Sequence, residues 1–329
     1  MKKIAIVTGG AGFIGSHMAD KLLKENYKVR IIDNFSGGHQ KNLLKHINNN
    51  DLQIEEKNIN TIENTNSIFK NVDVIFHFAG IGDIVPSIEQ PVDYIKTNVM
   101  GTVNILESSR NNNIKKFIYA ASSSCYGLAK TPTDESHIID PKYPYALSKY
   151  QGEQCALHWA SVYGLNVKSI RIFNAYGRRV RTTGAYGAVF GVFLKQYLSG
   201  KPLTIVGDGS QKRDFIHVKD VANAFFQLYV SSTSQKIFNL GAGNPISVKE
   251  LAEIIGGKFE YIEKRPGEPD ITWANITRIQ SELNWSPLIS FKEGVNEMID
   301  NIKEWEDAPL WDKTKIAIAT KNWFKYLDK

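Results

Sequence analysis

Cysteine is scarce: 329 residues hold only Cys125 and Cys155, and neither has metal-ligand spacing around it. So small a count excludes a disulfide framework and a zinc centre, so no metal is expected and a reducing compartment, the cytoplasm, is the expected location. Long apolar runs are missing as well, and nothing approaches the ~20 residues a membrane-spanning helix needs. The opening Met1-Lys2-Lys3-Ile4-Ala5-Ile6-Val7 sets basic residues before an apolar run as a signal peptide does, yet the run stops at Thr8-Gly9-Gly10 and reads as a first strand. Blocks of one charge are also absent. Lys and Arg number 40 against 34 Asp and Glu, a net +6, and the densest basic cluster, Arg178-Arg179-Val180-Arg181, is short. A nucleic-acid partner is therefore not expected; the small excess suits an anionic small molecule or an ordinary lysine-rich surface equally. No internal repeat and no linker interrupts the chain.

What is present is the balance of a soluble globular protein, 42% hydrophobic and 22% charged, at a length that asks for two packed units. Strand-like segments (Ile4–Thr8, Lys28–Asp33, Val72–Phe78, Lys116–Ala121, Asn166–Ile172) alternate with helical patterns (Ile14–Glu25, Val92–Arg110, Ala146–Val162). Strands apolar on both faces, alternating with helices, predict an α/β fold: a Rossmann-type doubly wound parallel sheet covered on both sides. After Ile172 the rhythm breaks. Leu203–Val206 precedes the turn Gly207-Asp208-Gly209; Asp214–His217, a helix over Val218–Val230 and Ile237–Leu240 read as one more α/β unit returning to the sheet. Short helices and a strand near Phe259–Glu263 then suggest a smaller, mixed α/β carboxyl-terminal domain. The expected division is 1–171 plus about 212–240 for a dinucleotide, and about 172–211 plus 241–329 for substrate. The asparagine triplets at 48–50 and 111–113 are turn chemistry at helix ends.

Gly9, Gly12 and Gly15 fall where the first strand meets the first helix. Such glycines let backbone approach a pyrophosphate, whose charge the helix amides meet; Phe13 and Ile14 stand at that helix start. Asp33 closes the next strand and can accept from ribose hydroxyls while repelling a 2′-phosphate, which selects NAD over NADP. Asn58-Ile59 and Phe78-Ala79-Gly80, at later strand ends, could line the adenine and nicotinamide sides. Tyr145 and Lys149 lie four apart at a helix start marked by Pro144, so they share one face. A lysine ammonium and a positive nicotinamide would both favour the phenolate of a tyrosine, whose pKa is otherwise about 10. Ser122-Ser123-Ser124 ends a strand, at the sheet edge where ligands bind.

These residues together resemble the extended short-chain dehydrogenase/reductase family, in its nucleotide-sugar 4-epimerase branch. The match runs through Gly9–Gly15, Asp33-Asn34, His77–Gly80, Asn98 with Gly101-Thr102, Ser122 to Gly127, Pro144–Lys149, Arg171–Asn174, Gly207–Gly209, Arg213–Phe215, Arg265–Glu268 and Thr272–Asn275. The resemblance implies Ser122 as catalytic serine with Ser123 beside it, Tyr145 as general base and acid, and Lys149 as the group that lowers its pKa and holds the nicotinamide ribose. It implies cofactor contacts from Asn34 and Asn98. Asn174, Arg213 and Arg265 would hold the substrate diphosphate and Glu268 its ribose. It further implies a homodimer built on the helices after Gly101 and after Tyr145.

Departures refine this expectation. Related 4,6-dehydratases carry an Asp–Glu pair where Ser123 and Ser124 stand here, and decarboxylating relatives carry a nearby glutamate; both activities are disfavoured. Asn58 replaces the usual aspartate at the adenine edge, and Gly82 replaces a lysine of some galactose epimerases. Thr272 stands where some relatives have a bulky tyrosine, leaving space for an N-acetylhexosamine. The activity implied is NAD-dependent inversion at C4 of a nucleotide hexose, a UDP-sugar favoured, through a 4-keto intermediate. A nucleotide-sugar 4-dehydrogenase or reductase, or a 4,6-dehydratase, is the alternative on the same scaffold, and a non-catalytic NAD(H)-sensing regulator is the distant one. Trp305 to Lys329 lies beyond the resemblance. Trp305, Trp311, Ile316, Trp323, Phe324 and Leu327 suggest an amphipathic helix packed on the body or a neighbouring subunit rather than one that touches substrate.

Overall fold

A computed structural model describes residues 1–180 and 189–327; Arg181 of the basic cluster lies outside them. Six parallel strands, β1 (Ile4–Thr8), β2 (Lys28–Asp33), β3 (Leu52–Glu56), β4 (Val74–His77), β5 (Lys116–Ser122) and β6 (Asn166–Ile172), are joined by Ile237–Leu240 into one sheet. Its order is Ile237–Leu240, β6, β5, β4, β1, β2, β3. Chain direction across the sheet therefore reverses between β1 and β4, which opens a crevice beyond their carboxyl ends. β3 escapes the sequence reading because Leu52-Gln53-Ile54-Glu55-Glu56 is short, charged and only half-buried, as an edge strand is.

Central strands are buried on both faces because helices cover both. On one side α1 (Phe13–Lys24) and the helix Val218–Val230 bury Met18, Leu22, Val221 and Phe225. On the other, Ile105, Leu106 and Ala156 pack on Ile6, Ile75 and Tyr119. The helical pattern at Val92–Arg110 is one continuous rod of three parts: α-helix Pro91–Ile95, a π-helical stretch Lys96–Gly101 and α-helix Thr102–Asn111. It ends where the asparagines are, Asn113 adopting φ 53°.

The later unit differs from expectation. Only Ile237–Leu240 returns to the main sheet. Phe215–His217 pairs with Asn174–Tyr176, and Leu203–Val206 pairs with Phe259–Ile262, each as a separate parallel two-stranded sheet. Around them lies another core, with Tyr176, Phe193, Leu251, Val295 and Trp305. Trp305 belongs to that core from a short 3-10 turn, and the carboxyl-terminal helix itself begins only at Lys313 and runs to Leu327.

Candidate active site

The glycine turn after β1 is shaped by close backbone approach. Gly9 has φ +66°, and a β-carbon there would sit 2.7 Å from the Ala79 amide nitrogen. A β-carbon on Gly15 would lie 2.2 Å from the Gly9 carbonyl oxygen, so the helix packs on the turn only with glycine. α1 starts after Gly12 without a side-chain cap, which leaves the first-turn amides of Phe13 and Ile14 directed into the crevice. Asp33, 7% exposed, stands beside this turn. One carboxylate oxygen accepts from the Ala11 amide (2.9 Å) and the other from the Phe35 amide (2.8 Å). Burial raises its pKa, and the amides of Phe35, Ala11 and Asn34 oppose that. Asn34 caps Ser36, and the Asn58 side-chain oxygen accepts from the Asn60 amide (2.9 Å), a local turn. Ile59 is buried against Gly101.

Across β4 the crevice continues. The Ala79 amide donates to Thr8 Oγ1 (3.2 Å), and the Phe78 ring packs on Phe225 at 4.7 Å. Gly80 is exposed; a β-carbon there would lie 2.8 Å from Asn98 Oδ1 and 3.8 Å from Lys149 Nζ. Asn98 is almost fully buried in the π-helical stretch. Its oxygen accepts from the Ile81 amide (2.7 Å), and its nitrogen donates to the Ile81 carbonyl and to Ser148 Oγ. Its side chain thus holds the Gly80-Ile81 turn at the edge of the crevice.

Ser122 ends β5, with its hydroxyl donating to Ser124 Oγ (3.1 Å) and lying close enough to the Tyr145 phenol to lower its pKa. Tyr145 and Lys149 come from the first two turns of the helix Pro144–Tyr163 and point to the same side as Ser122 and Gly80. Lys149 Nζ lies 4.6 Å from the centre of the Tyr119 ring. Burial pulls the Lys149 ammonium down to about 8, with Glu153 pulling the other way. The buried His77 is held down to about 3 by desolvation and then by Lys149, so it is neutral.

Tyr145 is half-buried at the head of its helix. Burial raises its phenol above the ordinary value; the Ser122 hydrogen bond lowers it in part, and Asp83 and Cys125 push it further up.

Facing this end, one cluster gathers residues a hundred positions apart. Arg213, 8% exposed, donates to the Pro269 carbonyl (2.9 Å) and pairs with Glu268 (2.7 Å). Arg265 approaches the other oxygen of Glu268 at 3.9 Å. The Thr272 hydroxyl donates to Asn174 Oδ1 (2.8 Å), so Thr272 orients the asparagine as well as leaving room beside it. Ser123 is half-buried between the two ends.

The model of the NAD dependent epimerase/dehydratase family matches residues 5–241 of this chain. The chain belongs to that family. Among relatives, a protein of Methanocaldococcus jannaschii named "Putative UDP-glucose 4-epimerase" is 38% identical over 306 residues, covering 91% of this chain and 98% of its own. A UDP-N-acetylglucosamine 4-epimerase from Methanobrevibacter ruminantium M1, solved with UDP-N-acetylmuramic acid, superposes with a TM-score of 0.86 at 33% identity, covering 91% of this chain and 98% of that one. A UDP-glucuronic acid 4-epimerase from Bacillus cereus, solved with UDP-glucuronic acid and NAD, gives 0.84 at 29% identity, with 92% and 99% covered.

The dinucleotide of the family suits the residues present. A β-carbon on Gly12 would meet only the Gly9 carbonyl, at 3.1 Å, so the space in front of the helix amides is open to a pyrophosphate. Asp33 has used one acceptor site on each oxygen, and a carboxylate offers about four, enough for ribose hydroxyls. Cofactor and family are NAD and NAD-dependent enzymes.

Two residues of the site have no signature in the sequence. Tyr143 stacks parallel to Tyr145, with ring centres 6.5 Å apart, lies beside Ser124, and sits within reach of the Glu268 and Arg213 charges. Burial pushes its phenol up to about 12. Tyr94 meets Tyr145 edge-on at 6.3 Å and donates to the Asp83 carbonyl (2.9 Å), where the backbone takes φ +72°. Neither has a motif that marks it; Tyr143 is near Tyr145 because it stands two residues before it, whereas only the folded cleft brings Tyr94 there.

Proposed function

We propose that the protein inverts C4 of a UDP-activated hexose, with Tyr145, Ser122 and Lys149 as its catalytic residues. The observation that carries this reading is the nearness of the Ser122–Tyr145 pair, through Tyr143, to the Arg213–Glu268–Arg265 cluster. Bound NAD supplies a reversible hydride acceptor at C4. Tyr145 takes the O4 proton as the 4-keto sugar forms and returns it afterwards, and Ser122 steadies that oxygen while the proton moves. Lys149 holds the nicotinamide ribose, with Gly9, Gly12, Phe13, Ile14 and Gly15 at the pyrophosphate, Asp33 and Asn34 at the adenosine ribose, Asn58 and Ile59 at the adenine, and Phe78, Ala79, Gly80 and Asn98 at the nicotinamide side. Asn174, Arg213 and Arg265 grip the substrate diphosphate, Glu268 its ribose, and Ser123 and Thr272 flank the sugar. Arginine forks suit phosphate oxygens, so the nucleotide stays while the keto sugar turns over.

A division at 1–171 plus about 212–240 for cofactor, and 172–211 plus 241–329 for substrate, is supported by the separate core around Tyr176 and Leu251, with Phe215 crossing into that core and Ile279, Leu283 and Trp285 into the sheet's. An N-acetylhexosamine as substrate is supported by the small Thr272 and by what the Methanobrevibacter ruminantium relative is named for. A cytoplasmic location is supported by two free cysteines, Cys125 being buried; no helix of the described residues is long and apolar enough to cross a membrane. A homodimer is supported by Val92, Met100, Leu147 and Val162, all exposed on neighbouring helices.

The test is to incubate purified protein with UDP-glucose, UDP-N-acetylglucosamine and GDP-mannose, without added NAD, and read products by NMR. A C4 epimer of a UDP-sugar is expected, faster for the acetylated one. A 4-keto-6-deoxy product would overturn the reaction class.

A further inference from the structure

The carboxyl-terminal helix Lys313–Leu327 lies outside the stretch the family model matches, and relatives are spanned almost whole while part of this chain is left over. It does more than cover a core. Trp323, 4% exposed, donates from Nε1 to the Pro266 carbonyl (2.7 Å), and the Arg265 guanidinium lies 5.7 Å from its ring centre. The same indole meets the Tyr143 ring at 6.4 Å, and Tyr143 stacks on Tyr145. One residue earlier, Asn322 donates to Glu89 on the helix Ile84–Glu89 (3.1 Å). One residue later, Phe324 lines a groove of about 730 Å³ together with Leu128, Arg265 and Glu268.

We propose that this helix is the outer wall of the nucleotide-sugar site and that Trp323 is a positioning residue, holding Arg265 for the diphosphate and Tyr143 beside Tyr145. The argument rests on the nucleotide-sugar reading above. A guanidinium on a loop tip has many rotamers, and a flat indole below it together with a pinned carbonyl beside it removes most of them. Affinity for the anion then depends on a tryptophan that never touches it. Trp323 stands one ring removed from Tyr145, behind Tyr143, so binding suffers before turnover.

Trp323→Ala is expected to raise KM for the UDP-sugar and weaken UDP binding by calorimetry by the same factor, roughly tenfold, with kcat within about threefold of wild type. Bound NAD, read by absorbance, should be unchanged. In a double-mutant cycle with Arg265→Ala, losing Trp323 should cost little further UDP affinity, because both changes remove one contact. Trp323→Leu, which keeps apolar volume but neither the flat ring nor the donor, should reproduce the KM and UDP effects if the alanine variant does not fold. Unchanged KM and UDP affinity beside a lowered Tm, or additive losses in the cycle, would overturn the proposal and leave the helix as packing. Wild-type protein that binds no UDP would instead overturn the nucleotide-sugar reading itself.

Discussion

Among single residues, Lys149 shows most directly how burial couples chemistry to stability. Its ammonium is nearly inaccessible and titrates near 8 in the folded chain, against an ordinary 10.5. Below about pH 8 the lysine is charged in folded and unfolded chain alike, and folding bears the full cost of desolvating it. Between 8 and 10.5 the unfolded chain holds a proton the folded one has lost, so this residue's contribution to stability rises with pH. Activity should run the other way, falling as pH passes through about 8, because the neutral amine no longer serves the ribose and the phenolate. Lys149→Met is expected to lower kcat by about 10²- to 10⁴-fold. It should also stabilise the protein at pH 7 by about 1–2 kcal/mol, the relieved desolvation less the lost cation–π contact with Tyr119. Denaturant titration at pH 7 and a pH–rate profile check both halves. The four-residue spacing of this pair is legible in the chain. The restraint on Tyr145 is not, since it depends on how deeply the cleft buries the phenol.

Among elements, the turn from β1 into α1 separates two uses of glycine that sequence spacing alone treats as one. Gly15 faces the Gly9 carbonyl at a distance no β-carbon tolerates, whereas a β-carbon on Gly12 would meet only that carbonyl, at 3.1 Å, a contact a shift of a few tenths of an ångström relieves. Gly15→Ala is therefore expected to destabilise the fold by about 1–3 kcal/mol through overpacking, with NAD lost as a consequence. Gly12→Ala should leave the unfolding midpoint close to wild type yet weaken NAD binding at least about tenfold, its methyl occupying pyrophosphate space. Chemical denaturation and cofactor titration on the two variants distinguish these effects; equal losses of stability would contradict the geometry. The helix Pro91–Asn111 teaches a related lesson. Its periodicity is visible from Val92 onward, but the π-helical stretch that turns Asn98 toward Ile81 comes from tertiary hydrogen bonds.

At the scale of the whole molecule, the faces that remain uncovered matter. Val92 is 74% exposed, Met100 53% and Val162 54%, on helices that pack against one another and carry Tyr145 and Asn98. If a second copy covers them, Met100→Asp combined with Leu147→Asp should yield a monomer by light scattering, with reduced Tm and an intact NAD content. A monomeric wild type would remove the homodimer. The buried pair of Arg171, on β6, and Glu153, on the helix Pro144–Tyr163, ties sheet to helix inside the molecule, satisfied by Ser169 and Tyr126 and so tolerated in the core.

The amino-acid sequence by itself determined the parallel sheet, the glycine turn with Asp33 and the Tyr145–Lys149 pair, because each is written in local periodicity, turn chemistry or a four-residue spacing. Only the tertiary structure decided that Thr272 orients Asn174, that Glu268 sits between Arg213 and Arg265, and that Trp323 reaches Tyr143. Those contacts join residues that are mostly far apart in the chain and carry no period. They exist because two cores close on each other over the crevice, which no short stretch of residues encodes.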